Sequence, residues 1–182
     1  KVGFIGLTLE NTPGMLPPIV PHLDFRDEAE TANRHVERLK TEGVRAIVVL
    51  LHEGGFAESE DPNACEGLSG PVVDVVRRLD PEIDLVVSGH THQAYVCEQE
   101  GRLLTSAGSY GRMLTHIEVA LDPRSGDVVR AEAENQIVSH DVTPAAGVEA
   151  AVARYEALAA PLASRVVTRM RGALTRARTP GG

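Results

Sequence analysis

The sequence has 182 residues, of which 42% are apolar and 24% are charged, and its formal net charge is −8. This length fits one domain, or one domain with an appended segment, and the apolar fraction excludes a chain that is disordered over most of its length. The acidic balance argues against a nucleic-acid-binding surface, and no apolar run approaches the roughly 20 residues that a membrane-spanning helix needs.

From its two ends we expect the sequence to be an excerpt of a longer protein or a processed chain. The chain opens inside an apolar run, KVGFIGLTL, without an initiator methionine, and it closes on Thr-Pro-Gly-Gly. Five arginines, and no acidic residue, follow Glu156. We expect this basic end to be a linker, with phosphate contact as the alternative.

The first half of the sequence predicts alternating strands and helices. Asp27, with Glu30 as its capping-box partner, begins a helix that Gly43 ends. The runs VRAIVVLL and IDLVVS are apolar without alternation, as in strands buried on both faces. The predicted order is strand, helix, strand, helix, strand, which implies a largely parallel sheet. In that order, the five elements cover residues 2–9, 27–43, 44–51, 71–79 and 83–88.

The second half predicts antiparallel strands followed by a helix. AYVCE and RLLTSA form a hairpin, and MLTHIEVAL and VVRAEAENQIV flank the turn DPRSGD. An alanine-rich helix over residues 145–160 follows, and Pro161 is expected to break it. Its predicted apolar stripe consists of Val148, Val152, Tyr155 and Leu158.

Three of the seven histidines follow the ends of buried strands, namely His52, His90 and His92. Open α/β sheets bind their ligands at the carboxyl ends of strands, and residues i and i+2 of an extended chain point to the same side. Neutral imidazole suits zinc, manganese or iron. The alternative is a set of buried histidines bonded to backbone carbonyls. The other four are predicted to be structural or solvent-facing: His22, His35, His116 and His140.

The motifs VVLLHEGG and DLVVSGHTHQAY resemble the last two metal-ligand motifs of the calcineurin-like metallophosphoesterases, nearest to the 5'-nucleotidase branch. The resemblance continues through TSAGSYGRMLTHIEVALD and the helix PAAGVEAAVARYEALAAPLASRV. It implies an α/β fold, a metallophosphoesterase-type sandwich of two mixed β-sheets flanked by helices, present only in part. Residues 1–143 would be the C-terminal half of that domain, and residues 144–182 a linker helix and the start of a nucleotide-binding domain.

The resemblance also implies a function. His52 and His90 would bind one divalent ion and His92 a second, with zinc, manganese or iron as the metals. The protein would hydrolyse small phosphate esters, foremost nucleoside 5'-monophosphates, and would be secreted, periplasmic or at the cell surface. A 2',3'-cyclic nucleotide phosphodiesterase or another metallophosphoesterase is the alternative within the family. A non-catalytic metal-binding module is the alternative outside it.

The sequence departs from the family before His52. The family's earlier motifs are an Asp-x-His, a Gly-Asp whose aspartate bridges the metals, and an Asn-His, and none of them precedes this histidine. We therefore assign no catalytic residue to this chain and expect the missing ligands upstream.

The two cysteines, Cys65 and Cys97, lack the C-x-x-C spacing of a redox or zinc motif. Because the nucleotidase branch is mostly exported, the resemblance favours a disulfide between them. Two unreactive thiols are the alternative.

Overall fold

A computed structural model describes residues 1–15 and 22–173. Contacts divide the chain into two compact units, Lys1–Ser139 and His140–Gly182. The roles expected for residues 1–143 and 144–182 stay predictions. The described elements in chain order are β1 (Val2–Leu7), α1 (Thr12–Met15), α2 (Glu28–Thr41), β2 (Ala46–Leu51), α3 (Pro71–Arg78), β3 (Leu85–Val87), β4 (Ala94–Gln99), β5 (Arg102–Ala107), β6 (Met113–Leu121), β7 (Val128–Ile137) and α4 (Ala146–Ala163).

The main sheet has five strands in the order β1-β2-β3-β5-β4. Neighbours among β1, β2, β3 and β5 pair in parallel, and β4 pairs antiparallel with β5. The hairpin β4–β5, which the sequence grouped with the antiparallel half, therefore extends the parallel sheet through the pair Val86↔Leu104. Its alternating pattern fixes the pairing within the hairpin, but it does not determine which sheet the free edge of β5 joins.

The second sheet consists of β6 and β7, which pair antiparallel and show a register shift between Ala120 and Leu121. The protein thus has the predicted α/β architecture of two sheets with helices. The first sheet is mixed, and the second is antiparallel over the described residues.

The core lies between the main sheet and helices α2 and α3. Helix α2 begins where the Asp27 carboxylate accepts a hydrogen bond from the Glu30 amide at 2.8 Å, as the capping pattern predicted. Its apolar face packs with that of α3 and with the inner residues of the strands. The fully buried members of this cluster include Ala32, Val36, Ile47, Val49, Val72, Val76 and Val86.

Helix α4 differs from its prediction in two respects. It continues past Pro161 to Ala163, because the proline removes one backbone donor while the Ser164 amide still bonds the Ala160 carbonyl at 3.0 Å. Its apolar stripe is exposed, with Tyr155 at 67% and Leu158 at 65% of their accessible surface. No helix in residues 1–15 or 22–173 has the length and hydropathy of a membrane span.

The predicted disulfide between Cys65 and Cys97 is present, with Cα atoms 5.2 Å apart. Cys97 lies in β4, and Cys65 lies in the loop that follows β2. The bond therefore ties this loop, residues 53–69, to the edge strand of the main sheet.

Asn135 of β7 is a buried polar centre that the sequence did not single out. Its Nδ2 donates to the Pro62 carbonyl at 2.7 Å and to the Ser106 carbonyl at 2.9 Å. Its Oδ1 accepts from the Thr115 hydroxyl at 2.6 Å, and its amide donates to Asn63 Oδ1 at 2.6 Å. One side chain thus joins loop 53–69, the main sheet and the second sheet.

We predict that Asn135→Ala lowers the free energy of unfolding by about 2 kcal/mol or more, because it leaves several buried polar groups without partners. Urea denaturation followed by circular dichroism measures the loss. Gln136→Ala is the matched control, since this neighbouring side chain is exposed and bonds only Glu134 at 3.5 Å among the described residues. Equal stability of the two variants would contradict the role of Asn135.

Candidate metal centre

His52 and His90 lie at the same edge of the main sheet. His52 directly follows β2, and its amide donates to the Leu7 carbonyl at 3.0 Å. His90 comes three residues after the end of β3. Because β2 and β3 are parallel neighbours with Leu50 opposite Val87, both histidines are delivered to the carboxyl end of the sheet.

The two imidazoles are in direct contact. Their ring centroids are 5.1 Å apart, and the ring planes meet at 69°. The His52 side chain is exposed and that of His90 is half-buried. Two accessible imidazoles at this separation can direct one nitrogen each at a shared ion.

The backbone that carries His90 and His92 is strained. Both residues have positive φ angles, 69° and 58°, which are uncommon for residues other than glycine. Such conformations cost of order 1–3 kcal/mol and persist where the surroundings impose them, often at functional sites. Here the conformation is held by Thr91, whose hydroxyl donates to the Gly55 carbonyl at 2.8 Å.

Gly54 permits the close approach of the two loops. A Cβ atom at this position would lie 2.1 Å from the Gly89 carbonyl oxygen and 2.5 Å from Thr91 Oγ1. No side chain fits there without displacement of the loop after β2 or the loop after β3. The spacing of His52 and His90 therefore depends on a glycine at position 54.

Ser88 and Tyr95 fix the end of β3 from inside the protein. The Ser88 hydroxyl lies 2.7 Å from the Tyr95 hydroxyl and donates to the Thr105 carbonyl at 2.9 Å. Burial raises the pKa of Tyr95, so its phenol stays protonated and available as a hydrogen-bond donor. This buried contact holds the chain immediately before Gly89 and His90.

Glu53 is buried, and its carboxylate accepts a hydrogen bond from the Gly54 amide at 2.7 Å. It thus stabilises the turn after His52.

His92 makes a ring contact of its own, with Tyr110. Its side chain is exposed, and its ring meets the ring of Tyr110 edge-on, with centroids 5.4 Å apart. Within the described chain, the nitrogens of the three histidines do not form a set lying wholly within 4.8 Å. The other four histidines are all exposed: His22, His35, His116 and His140.

His52 and His90 fit part of a metal site. Their imidazoles suit zinc and similar ions, but no described carboxylate completes a compact set of three ligands with them. The described residues hold one compact set, formed by Glu10, Asp27 and Glu28. Glu28 accepts a hydrogen bond from the Glu10 amide at 2.8 Å, and the group includes neither motif histidine.

Comparison with known proteins identifies relatives of the chain, although no family model matches it. It is 33% identical over 168 residues to Endonuclease YhcR of Bacillus subtilis, a match that covers 91% of this chain and 13% of that protein. It is 28% identical over 172 residues to the snake venom 5'-nucleotidase of Gloydius brevicauda, covering 84% of this chain and 26% of the relative. The chain thus spans well under half the length of these relatives.

The fold is also found among solved structures. The calcineurin-like phosphoesterase YfkN from Bacillus subtilis superposes with a TM-score of 0.66 at 19% identity, over 89% of this chain and 52% of that one. The chain is therefore similar in sequence to 5'-nucleotidases, shares its fold with a calcineurin-like phosphoesterase, and corresponds to a part of the length of these proteins.

Proposed function

We propose that the protein to which this chain belongs is a metal-dependent phosphoesterase, foremost a 5'-nucleotidase acting on nucleoside monophosphates. The observation that carries the proposal is the contact between His52 and His90 at the carboxyl ends of two parallel strands. The relationship to 5'-nucleotidases supports it.

The three motif histidines would hold the metals, His52 and His90 on one divalent ion and His92 on a second. When bound, such ions polarise phosphoryl oxygens and lower the pKa of a bound water. The chain's own part is to orient the imidazoles through the contacts of Ser88, Thr91 and Gly54. Zinc, manganese and iron all suit imidazole ligands.

Neutral imidazoles do not offset the charge of two dications. We therefore propose that the bridging carboxylate and the general acid come from a segment of the protein outside these 182 residues. This division accounts for the absence of a described carboxylate close to both His52 and His90.

The proposed substrate is a small ester rather than a nucleic acid. A net charge of −8 disfavours the binding of a polyanion such as a nucleic acid. One relative is named an endonuclease, but the match covers 13% of it, so that name describes a protein that lies mostly outside the similarity.

We also propose that the protein is secreted, periplasmic or displayed at the cell surface. The disulfide between Cys65 and Cys97 supports an oxidising compartment. Similarity to a venom protein supports export.

We predict that Gly54→Ala weakens zinc binding by about tenfold or more, because the new Cβ displaces one of the two loops that set the spacing between His52 and His90. Isothermal titration calorimetry with zinc measures the affinity. Gly6→Ala is the matched control, since a Cβ at position 6 has no neighbour within 4 Å. The positioning role of Gly54 is wrong if both variants bind zinc as the parent chain does.

We predict that the 182-residue chain shows no turnover of AMP or 4-nitrophenyl phosphate with manganese or zinc, because the bridging carboxylate is not among its residues. A longer protein that includes the proposed segment should be active. In that longer protein, His52→Ala and His90→Ala should each lower kcat/KM by about 10- to 100-fold or more. Loss of a group that only supports a metal ligand already costs this much, and loss of a ligand should cost at least as much.

The control for these variants is His116→Ala, which removes an exposed histidine in β6 and should leave the activity unchanged. Robust hydrolysis by the short chain, or full activity of the two alanine variants, would refute this assignment of the active site. A longer protein that binds metal without hydrolysing either ester would instead be a non-catalytic metal-binding module.

A further inference from the structure

A cavity lies at the end of the main sheet opposite to the candidate metal centre. It encloses about 330 Å³ between the segment that enters β3, the hairpin of β4 and β5, and the start of β7. Arg102 is the first residue of β5, which runs parallel to β3. The cavity therefore lies at the amino ends of these two strands, whereas His90 follows the carboxyl end of β3. We call it the Arg102 cavity.

Arg102 lines this cavity as a buried charge without an anionic partner. The residue is only 7% exposed. Its Nη1 donates to the Asp80 carbonyl at 3.3 Å, and its Nε is enclosed without a hydrogen-bond partner in the described part of the chain. Arg102 forms no ion pair with any described carboxylate. Burial lowers the pKa of its guanidinium, because the charge has lost much of its hydration. This position can therefore still pair with an anion.

The hairpin turn holds Arg102 in place. Glu100 and Gly101 both have positive φ angles, 52° and 73°, as in the two-residue turns that join antiparallel strands. Gln99 and Arg102 pair across that turn. The Asp80 carbonyl, in the loop after α3, restrains the guanidinium from a second direction. A charge that is fixed in this way loses little entropy when it binds a ligand.

Two carboxylates also line the Arg102 cavity, those of Asp84 and Glu98. The Asp84 carboxylate accepts a hydrogen bond from the Ile47 amide at 2.8 Å, and burial raises the pKa of this group. The Glu98 side chain is exposed and forms no hydrogen bond or ion pair with a described residue. A multiply charged anion would be repelled by these two groups. A ligand with one negative and one positive group would find an unpaired partner for each.

The size of the cavity suits a small molecule. Its volume of about 330 Å³ is at the lower end of the roughly 300–1,000 Å³ of small-molecule pockets. Leu103 and Val128 are half-buried and supply apolar surface. The second arginine of the lining, Arg130, is exposed and already pairs with Glu132 at 3.3 Å. The cavity therefore has room for a compact ligand with a short apolar side chain.

We propose that the Arg102 cavity binds a small zwitterion of the α-amino acid class. The ligand carboxylate would pair with the Arg102 guanidinium through charge-assisted hydrogen bonds. Its ammonium group would pair with the Glu98 carboxylate, and its side chain would lie against Leu103 and Val128. The proposal is independent of the proposed phosphoesterase function, because it involves neither a metal ion nor a phosphate group.

The test is a titration of the isotopically labelled 182-residue chain with L-valine at constant ionic strength, followed by two-dimensional ¹H–¹⁵N NMR. At about pH 6 the ligand is a zwitterion and the Glu98 carboxylate is exposed to it in the ionised form. We expect saturable shifts of the backbone amides of Asp84, Glu98 and Leu103, with a Kd of about 10 mM or lower.

Two analogues with the same apolar body serve as matched ligand controls. 3-Methylbutanoate lacks the ammonium group, and valinamide lacks the carboxylate. Each should bind about tenfold more weakly or worse, the value of a hydrogen bond to a charged group. Binding of either analogue as tight as that of valine, or shifts confined to residues outside the cavity, would overturn the proposal.

Variants of the chain test the two charged partners separately. Arg102→Gln and Glu98→Gln should each raise the Kd for valine about tenfold or more. Arg77→Gln is the matched control, since this exposed arginine lies outside the cavity and pairs with Glu100 at 4.0 Å. Its Kd should stay within about twofold of that of the parent chain, because salt screens exposed charges.

Equal Kd values for the cavity variants and Arg77→Gln would refute the assignment. If Arg102→Gln loses the dispersed spectrum of a folded chain, Glu98→Gln decides the question, because it changes an exposed side chain. An unchanged Kd in that variant would then overturn the zwitterion site, as would the absence of saturable shifts in the parent chain.

Discussion

The candidate metal centre depends on the contact between the loop after β2 and the loop after β3. The two loops meet where the Gly89 carbonyl and Thr91 approach Gly54 more closely than any side chain at that position would allow. The Thr91 hydroxyl bonds across the gap to Gly55, and the Gly89 amide lies 3.4 Å from the Glu53 carbonyl. These contacts bring the imidazoles of two distant segments together and hold His90 in a strained conformation.

A second set of contacts holds a loop beside the main sheet in place. Asn135 and the disulfide between Cys65 and Cys97 both anchor loop 53–69, one to the second sheet and one to β4. The same loop includes Gly54 and Gly55, which contact the loop after β3. The candidate metal centre therefore adjoins a loop that is anchored at two further points.

The sequence predicted those features that depend on local pattern. Strand ends could be located from apolar runs, and the placement of His52 and His90 at one sheet edge followed from two adjacent parallel strands. The Asp27 cap followed from its spacing to Glu30. The presence of the disulfide followed from the family resemblance.

Features that depend on tertiary contacts could not be predicted in this way. The pairing of β5 with β3 is invisible in the alternation of the hairpin, because either sheet would satisfy it. Asn135 reads as an ordinary polar residue of an alternating strand, and only its distant partners reveal it as a buried centre. Tyr110 lies between two glycine turns, and nothing in that pattern indicates a ring contact with His92.

We propose that His52 and His90 bind one metal ion together. Long-range ¹H–¹⁵N NMR of the histidine side chains during a zinc titration tests it most directly, because it observes each imidazole separately. We expect the ring-nitrogen signals of His52 and His90 to shift in parallel with the same dependence on zinc, while those of His35 and His116 do not move. Independent titration of His52 and His90, or zinc-induced shifts only at the other histidines, would contradict it.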